Sequence, residues 1–178
     1  MKKQFLYVLA GSLALTWAAP VLADGQAQDC KLIGSWIGYS GYDGTAWWMS
    51  TASGQNADHG TSVLQVPGFD PRLEIAPDVY AFPDAVASGF LQGVWKKTDG
   101  RNYAYSLLAI ATNADGETLW LGKLAGTQTL LEGCDVMLLE QNTLSIFAPD
   151  ADPFGDEPLF DPIPFPDHYG YRMHVDLP

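Results

Sequence analysis

One carboxylate–histidine pair is the clearest candidate for acid–base chemistry in this chain of 178 residues. Asp58 and His59 are adjacent and precede Gly60, and a histidine beside a carboxylate can act as a general base. The same residue types are common in solvated turns, so catalysis would require His59 to face the mouth of a cavity. The sequence has no Gly-x-Ser-x-Gly elbow and no phosphate-binding glycine loop, and no motif indicates a cofactor.

Acidic residues near the C-terminus offer the hard oxygen ligands that Ca²⁺ prefers. The calcium candidates are Asp150, Asp152, Asp156 and Glu157. Pro153 and Phe154 stand where an EF-hand loop would need its third ligand and its glycine, so the cluster does not match that motif. The alternative is a solvated acidic loop, and the histidines lack metal-ligand spacing, so no metal site is predicted.

Aromatic side chains are the candidates for ligand binding. If they line the inside of a barrel, they form an apolar pocket for one small ligand: Trp47, Tyr103, Tyr105 and Trp120. The alternative is that they fill the core, because an eight-stranded barrel is just wide enough for either arrangement. Trp47 and Trp48 are adjacent and point to opposite faces of their strand, so one of them is expected outside.

The two cysteines, Cys30 and Cys134, predict one disulfide. Such a bond would tie the start of the exported chain to a late strand. It would also suit an oxidising compartment, where a catalytic thiol, the alternative, would tend to oxidise.

Residues 1–23 have the organisation of a secretory signal peptide. Lys2 and Lys3 precede an apolar run over 5–17, and Ala23 is the small residue that signal peptidase requires. A membrane helix is the alternative, but the apolar run is short for one. Cleavage would leave 24–178 as a single exported domain. The Lys-Lys start is typical of bacteria, so the periplasm or the medium is the expected location.

The net charge of -12 disfavours nucleic acid and anionic membranes as partners, because both select basic patches. After signal removal no apolar stretch is long enough to span a bilayer. A small apolar ligand is the expected partner. Exposed strand edges and spare tryptophans would also permit a homodimer.

Short runs of strand-forming residues, separated by turn signals, predict an all-β fold. Asp99-Gly100 and Asp115-Gly116 are hairpin signals, and between them side chains alternate along a strand over 102–112. Further strands are predicted at 118–124, 135–140 and 143–147, and no long stretch has helical periodicity. The expected architecture is an antiparallel up-and-down barrel of about eight strands, because closure removes sheet edges.

The chain also contains two similar halves, which predict two pseudo-repeats. Residues 32–36 match 91–95, and Gly60-Thr61 recurs as Gly126-Thr127. The second half has an extra predicted strand, 117–124, before its Gly-Thr pair.

Two proline-rich segments fall outside the regular meander. Residues 67–90 are expected to form a crossover between the half-repeats, and 148–178 to form a wrapping tail rich in proline, aspartate and aromatic residues. Within the tail, 169–175 is expected to add an edge strand.

Gly34-Ser35-Trp36 at the start of the first strand resembles the lipocalin and wider calycin pattern. In that family the Gly-x-Trp tryptophan packs across one end of the barrel, and the other end opens to a small apolar ligand. Gly93 and Trp95 match the motif a second time. The family's Thr-Asp-Tyr motif is missing, and Arg172 is the candidate for its late arginine. The resemblance implies a calycin-like barrel.

Three functions follow from these patterns. The first is a non-catalytic binder that holds a small apolar or aromatic ligand in the barrel. The second is a barrel-cavity enzyme of isomerase, cyclase or dehydratase type, with His59 or a tyrosine as its acid or base. The third is a structural or interaction protein with a filled core, which acts through its acidic tail. Fold likeness alone does not decide among them.

Overall fold

The structure is a computed structural model that describes residues 30–40 and 46–174. The predicted signal peptide over 1–23 lies outside the described residues, as do 175–178 at the end of the tail. Throughout the described ranges the regular structure is β-strand, and no helix has the length and hydropathy to cross a bilayer.

The described strands are numbered in chain order. They are β1 (Gly34–Ser40), β2 (Ala46–Ser53), β3 (His59–Gln65), β4 (Glu74–Ala76), β5 (Val79–Tyr80), β6 (Ala87–Ser88), β7 (Leu91–Asp99), β8 (Asn102–Thr112), β9 (Thr118–Leu130), β10 (Val136–Phe147), β11 (Ile163–Pro164) and β12 (His168–Arg172). Eight of them form a closed antiparallel barrel in the order β1-β2-β3-β7-β8-β9-β10-β12. This confirms the predicted all-β, up-and-down architecture.

The barrel is closed by β12, which pairs with β10 on one side and with β1 on the other. Trp36 is the register partner of Arg172 across the closing pair. The expectation of an edge strand in the tail is therefore wrong. Without β12, both β1 and β10 would leave unpaired backbone groups at an edge, and closure satisfies them.

Two further boundaries differ from the sequence prediction. The predicted extra strand over 117–124 is continuous with the Gly126-Thr127 pair in β9, because the ladders to β8 and β10 run past that glycine. The two runs at 135–140 and 143–147 are likewise one strand, β10, whose register shifts between Glu140 and Thr143. Gln141, with φ of 54°, accommodates this β-bulge.

One end of the barrel, the disulfide end, is filled. Its largest side chains are fully buried in one apolar cluster that includes Cys30 and Cys134: Trp36, Trp95, Tyr103, Leu130 and Met137. Their polar atoms are paired as well. Trp36 Nε1 donates to Leu32 O at 2.9 Å, and Tyr103 Oη donates to Cys30 O at 3.0 Å. Burial of a large apolar side chain contributes about 1.5–3 kcal/mol, so this cluster contributes substantially to the stability of the fold.

Arg172 covers Trp36 at the disulfide end. Its guanidinium carbon lies 4.2 Å from the centre of the indole ring. The same group donates to the carbonyl oxygens of Ile33 at 2.8 Å and Lys31 at 2.7 Å. The side chain therefore ties β12 to the segment that precedes β1.

The two long connections between barrel strands lie at the other end, the cavity end. Residues 66–90 join β3 to β7 and contain the β4–β5 hairpin and β6. Residues 148–167 lead from β10 to β12 and contain β11, which pairs with the last part of β10. Leu159 N donates to Ile146 O at 2.7 Å, which holds the tail against this end.

Candidate ligand-binding cavity

A cavity of about 590 Å³ occupies the half of the barrel nearest the two long connections. Its walls are mainly aliphatic and aromatic side chains from the strands and from the tail: Leu64, Leu91, Leu124, Leu144, Trp120 and Phe165. The volume falls within the range of about 300–1,000 Å³ that is usual for small-molecule sites. The interior of this barrel is thus filled in one half and hollow in the other.

Trp120 anchors the cover of the cavity. Its Nε1 donates to Pro71 O in the connection after β3, at 2.9 Å. Phe69 and Phe82 from the same connection contact its ring, with centroid distances of 6.3 and 6.2 Å. Phe82 in turn meets Phe160 of the tail at 6.4 Å. Through Phe82, these ring contacts link Trp120 and the connection after β3 to the tail.

The bulge in β10 brings a polar side chain into the apolar interior. Asn142 directly follows Gln141, and its side chain is only 1% exposed. Phe165 N donates to Asn142 O at 2.8 Å. On the side of β10 away from β9, residues before Asn142 pair with β12 and residues after it pair with β11. The extra residue reverses the alternation, so that Asn142 points inward in place of Gln141.

Asn142 is held by its neighbours on β8 and β9. The Tyr105 hydroxyl donates to Asn142 Oδ1, and burial raises the pKa of that hydroxyl, so it stays protonated. A Cβ at Gly126 would meet Asn142 Oδ1 at 2.2 Å, so only glycine leaves room for the amide. Asn142 Nδ2 has no hydrogen-bond partner among the described residues, although it is buried.

Trp48 forms another part of the cavity wall. Its indole lies across two glycines, since a Cβ at Gly38 would come within 2.1 Å of the ring and one at Gly170 within 2.6 Å. The side chain is 3% exposed, and Nε1 has no partner in the described part of the chain. Trp48 and Asn142 are therefore two cavity-lining residues whose N–H donors are buried and unused.

His168 at the start of β12 also lines the cavity and meets Trp48 edge-on, with 5.9 Å between ring centroids. Its Nδ1 lies 3.0 Å from Pro166 O. A carbonyl oxygen only accepts, so Nδ1 carries the proton and Nε2 is the acceptor in the neutral ring. Burial lowers the pKa of His168, while the Pro166 carbonyl and the Asp167 carboxylate oppose that shift.

The connection after β3 brings two carboxylates to the cavity, one of them paired with an arginine. Asp70 and Glu74 are among its lining residues, and the described lining contains no lysine or arginine. Hydrogen bonds from Arg72 hold the pKa of Asp70 below its usual range, and the two groups form an ion pair at 2.6 Å. The cavity therefore offers no cation to balance a buried anion.

The predicted ligand-binding aromatics separate into two pairs. Tyr105 and Trp120 line the cavity. Tyr103 instead packs in the disulfide end, and Trp47 is 56% exposed on the outside of β2, where it contacts Tyr39. Trp48, the inward neighbour of Trp47, takes the place in the wall that was expected for Trp47.

Asp58 and His59 lie at the disulfide end, away from the cavity. His59 begins β3, is exposed, and is the register partner of Lys96. Asp58 is exposed in the preceding turn, where Asn56 Oδ1 accepts its backbone N–H at 2.9 Å. A catalytic His59 would have to lie at the mouth of the cavity, and His59 lies at the opposite end of the barrel.

The four calcium candidates lie in the loop after β10. Asp152 and Asp156 accept hydrogen bonds from the backbone of their own loop, at Phe154 N and Asp152 N. Asp150 and Glu157 are exposed in the same loop. Within 30–40 and 46–174, no three His, Cys, Asp or Glu side chains are grouped so that they could hold a metal ion.

Sequence reasoning missed Asn142, Trp48 and His168 as cavity residues. A break separates the apolar runs at 135–140 and 143–147, and it could have indicated a bulge at Asn142. The same break is equally typical of a turn. For Trp48 the pattern was misleading, because Trp47 and Met49 make the outward face of β2 more apolar than the inward one. His168 has no local signal, since it meets the cavity only through barrel closure.

Comparisons with models of known families, with curated proteins and with solved structures found no match to this chain. The closed barrel is compatible with the calycin-like fold that the Gly-x-Trp motif suggested. Trp36 packs across the disulfide end and Arg172 stacks on it, while the cavity lies in the opposite half.

Proposed function

We propose that this protein is an exported, non-catalytic binder of a small, uncharged and largely apolar molecule, which it holds in the barrel cavity. The observation that carries the proposal is the apolar cavity of about 590 Å³, which is lined in part by the two long connections, the first of them anchored to Trp120. An apolar ligand in a cavity of that size would gain dispersion contacts with the aliphatic and aromatic walls and would be removed from water. The disulfide is consistent with export to an oxidising compartment.

Titration with the fluorescent apolar probe N-phenyl-1-naphthylamine tests this proposal. We expect saturable binding at about one probe per chain, with the blue shift that accompanies transfer from water to an apolar site. In Ala109→Phe, where the new ring enters the cavity, binding should weaken about ten-fold or more. In the control Ile110→Phe, the new ring lies on the outer face of the same strand, and binding should be unchanged.

No saturable binding to the wild-type protein would refute the proposal. Equal weakening in both variants would also refute it, because the probe would then not occupy the cavity. Both variants are first compared with the wild type by near-ultraviolet circular dichroism, so that a folding defect is recognised.

His168 favours a second candidate function, an enzyme that moves a proton on a carbonyl compound. Its unprotonated Nε2 belongs to a side chain that lines the cavity. In such a step Nε2 would take a proton from the carbon next to the carbonyl, and the C–H electrons would form the enolate. The imidazolium would exchange that proton with solvent, and a deuteron from D₂O would be transferred to the enolate carbon, which regenerates the ketone and the neutral ring. Proton NMR of 2-acetylnaphthalene in D₂O tests this. Protein-dependent exchange of the methyl protons that is lost in His168→Gln would support it, and exchange at the uncatalysed rate would exclude it.

A further inference from the structure

The outer face of the first three strands has no carboxylate, ammonium or guanidinium group. None of the residues of β1, β2 and β3 is Asp, Glu, Lys or Arg, although these residue types make up 17% of a chain whose net charge is -12. The side chains that alternate with the buried ones point away from the barrel, and Trp47 on β2 is 56% exposed. A large exposed apolar face of this kind is typical of an interaction site.

The outward side chains of β1, β2 and β3, together with Tyr171 of β12, form one continuous surface, the outer patch. The register places Tyr171, Ile37 and Met49 side by side across β12, β1 and β2. Thr51 and Val63 continue the surface from β2 to β3.

A groove and a projecting ring lie next to each other on the outer patch. The groove has a volume of about 300 Å³, and its apolar walls are Met49, Val63, Phe90 and Met173. Trp47 precedes Met49 by two residues on the same face of β2, which is about 7 Å along the strand. Its ring meets Tyr39 edge-on, with 5.0 Å between centroids. In two copies related by a twofold axis between the ring and the groove, each Trp47 meets the groove of the other copy.

The charge of the molecule favours a second copy as the partner. Two chains of net charge -12 repel each other, and the repulsion is weakest when neither copy brings carboxylates into the contact. The polar side chains of the groove, such as Thr51 and Gln65, donate as well as accept hydrogen bonds, so they can pair with their own copies. A different partner would be steered and selected by charge complementarity, and the outer patch has no charge for this.

The exposed area is large enough for a dimer. Tyr39, Trp47, Phe90 and Tyr171 are each 41–56% exposed, which leaves about 100 Å² of each accessible. Apolar atoms make up about 65% of homodimer interfaces, so about 400 Å² from these rings corresponds to at least about 600 Å² per copy. That area is at the lower end of the range for specific, stable interfaces.

We infer that the protein forms a symmetric homodimer through the outer patch, with Trp47 of each copy in the groove of the other. Each strand of the closed barrel is paired on both sides, so the copies meet through sheet faces and not through strand edges. The contact lies on the outside of the barrel and does not depend on a ligand in the cavity.

Sedimentation-velocity ultracentrifugation of the purified protein measures this association. Between about 1 and 100 µM protein we expect a dimer with a dissociation constant of about 10 µM or below. Trp47→Glu introduces a charge twice into the symmetric contact and should weaken dimerisation at least about a hundred-fold. Val63→Glu, in the groove, should act in the same way. The matched control is Ile110→Glu, because Ile110 is 50% exposed on the outside of β8, and there the dimer should be unchanged.

Salt distinguishes an uncharged contact from one held by ion pairs. Raising the NaCl concentration from about 50 to about 500 mM screens the repulsion between the acidic copies, so the dimer should keep or gain affinity. A dimer that weakened at high salt would overturn the inference, since ion pairs would then hold it.

Two further outcomes would overturn the inference. A wild-type protein that stayed monomeric at about 100 µM would do so, and the outer patch would then serve a different partner. A dimer that persisted in both Trp47→Glu and Val63→Glu would place the contact elsewhere on the molecule. Thermal unfolding followed by circular dichroism confirms beforehand that each variant is folded.

Discussion

Replacing Ala109 by leucine measures directly whether the cavity half of the barrel is hollow. Ala109 lies on β8, is 4% exposed and lines the cavity. Ala52 on β2 has the same exposure but belongs to the packed cluster at the disulfide end, which makes Ala52→Leu the matched control. The two substitutions add the same atoms to a buried alanine, so the free energies of unfolding differ only through the space available.

The expected magnitudes follow from that space. Leucine adds three carbon atoms to alanine, and each buried methylene contributes about 0.8 kcal/mol, or about 2.4 kcal/mol in total. Ordering the leucine side chain costs about 0.5–1 kcal/mol, so Ala109→Leu should raise the free energy of unfolding by about 1.5 kcal/mol. Ala52→Leu must displace packed neighbours and should lower it by about 1–3 kcal/mol.

Urea unfolding followed by tryptophan fluorescence measures both effects, provided that the m-value stays constant. The predicted gap between the two variants is about 3 kcal/mol, well above the error of the extrapolation. If Ala109→Leu were destabilised as much as Ala52→Leu, the space beside Ala109 would be filled, and both the cavity and the binding function would be refuted.

Two further predictions concern the disulfide and the half-buried His168. The cysteines of the disulfide are 104 residues apart. In the chain-entropy model, the double variant Cys30→Ser/Cys134→Ser should therefore lower the free energy of unfolding by about 5 kcal/mol. A loss below about 2 kcal/mol in urea unfolding would contradict this. Because burial lowers the pKa of His168 in the folded state, the unfolded state binds more protons near pH 6. The contribution of His168 to stability is therefore fully present only above the unfolded-state pKa of about 6.5, and it is lost as the pH falls from about 7. His168→Gln should flatten this fall between about pH 7 and pH 5, and equal slopes in the two proteins would exclude the mechanism.

Local sequence patterns determined the class and the topology of the fold. Turn signals at Asp99-Gly100 and Asp115-Gly116 mark the ends of β8, and the alternation between them matches its buried and exposed faces. The pairing of Cys30 with Cys134 follows from the count of cysteines alone. The strand and turn signals depend on residues that are adjacent or alternate along the chain, so they can be recognised without the tertiary structure.

Sequence reasoning identified only part of the cavity. Tyr105 and Trp120 were predicted to line it because they are large aromatic residues on clear strands, and both do. Trp47 was preferred to Trp48 although its face is the solvent-facing one. In β2 the inward face carries Ala52 because Trp36 and Trp95 from other strands already fill that end, so the usual rule that the more apolar face is buried does not hold.

The sequence by itself determined that this chain forms an antiparallel barrel with one disulfide, because alternation, turn residues and the cysteine count act over short distances or without geometry. Only the tertiary structure decided where the interior is hollow and which polar groups face it. Asn142 turns inward through a bulge whose register depends on β9, β11 and β12. His168 reaches Trp48 because β12 closes the barrel against β1. The space left inside a closed barrel is the volume enclosed by its backbone minus the volume of all the side chains that point inward. It depends on every strand at once, so no single segment of the sequence can predict it.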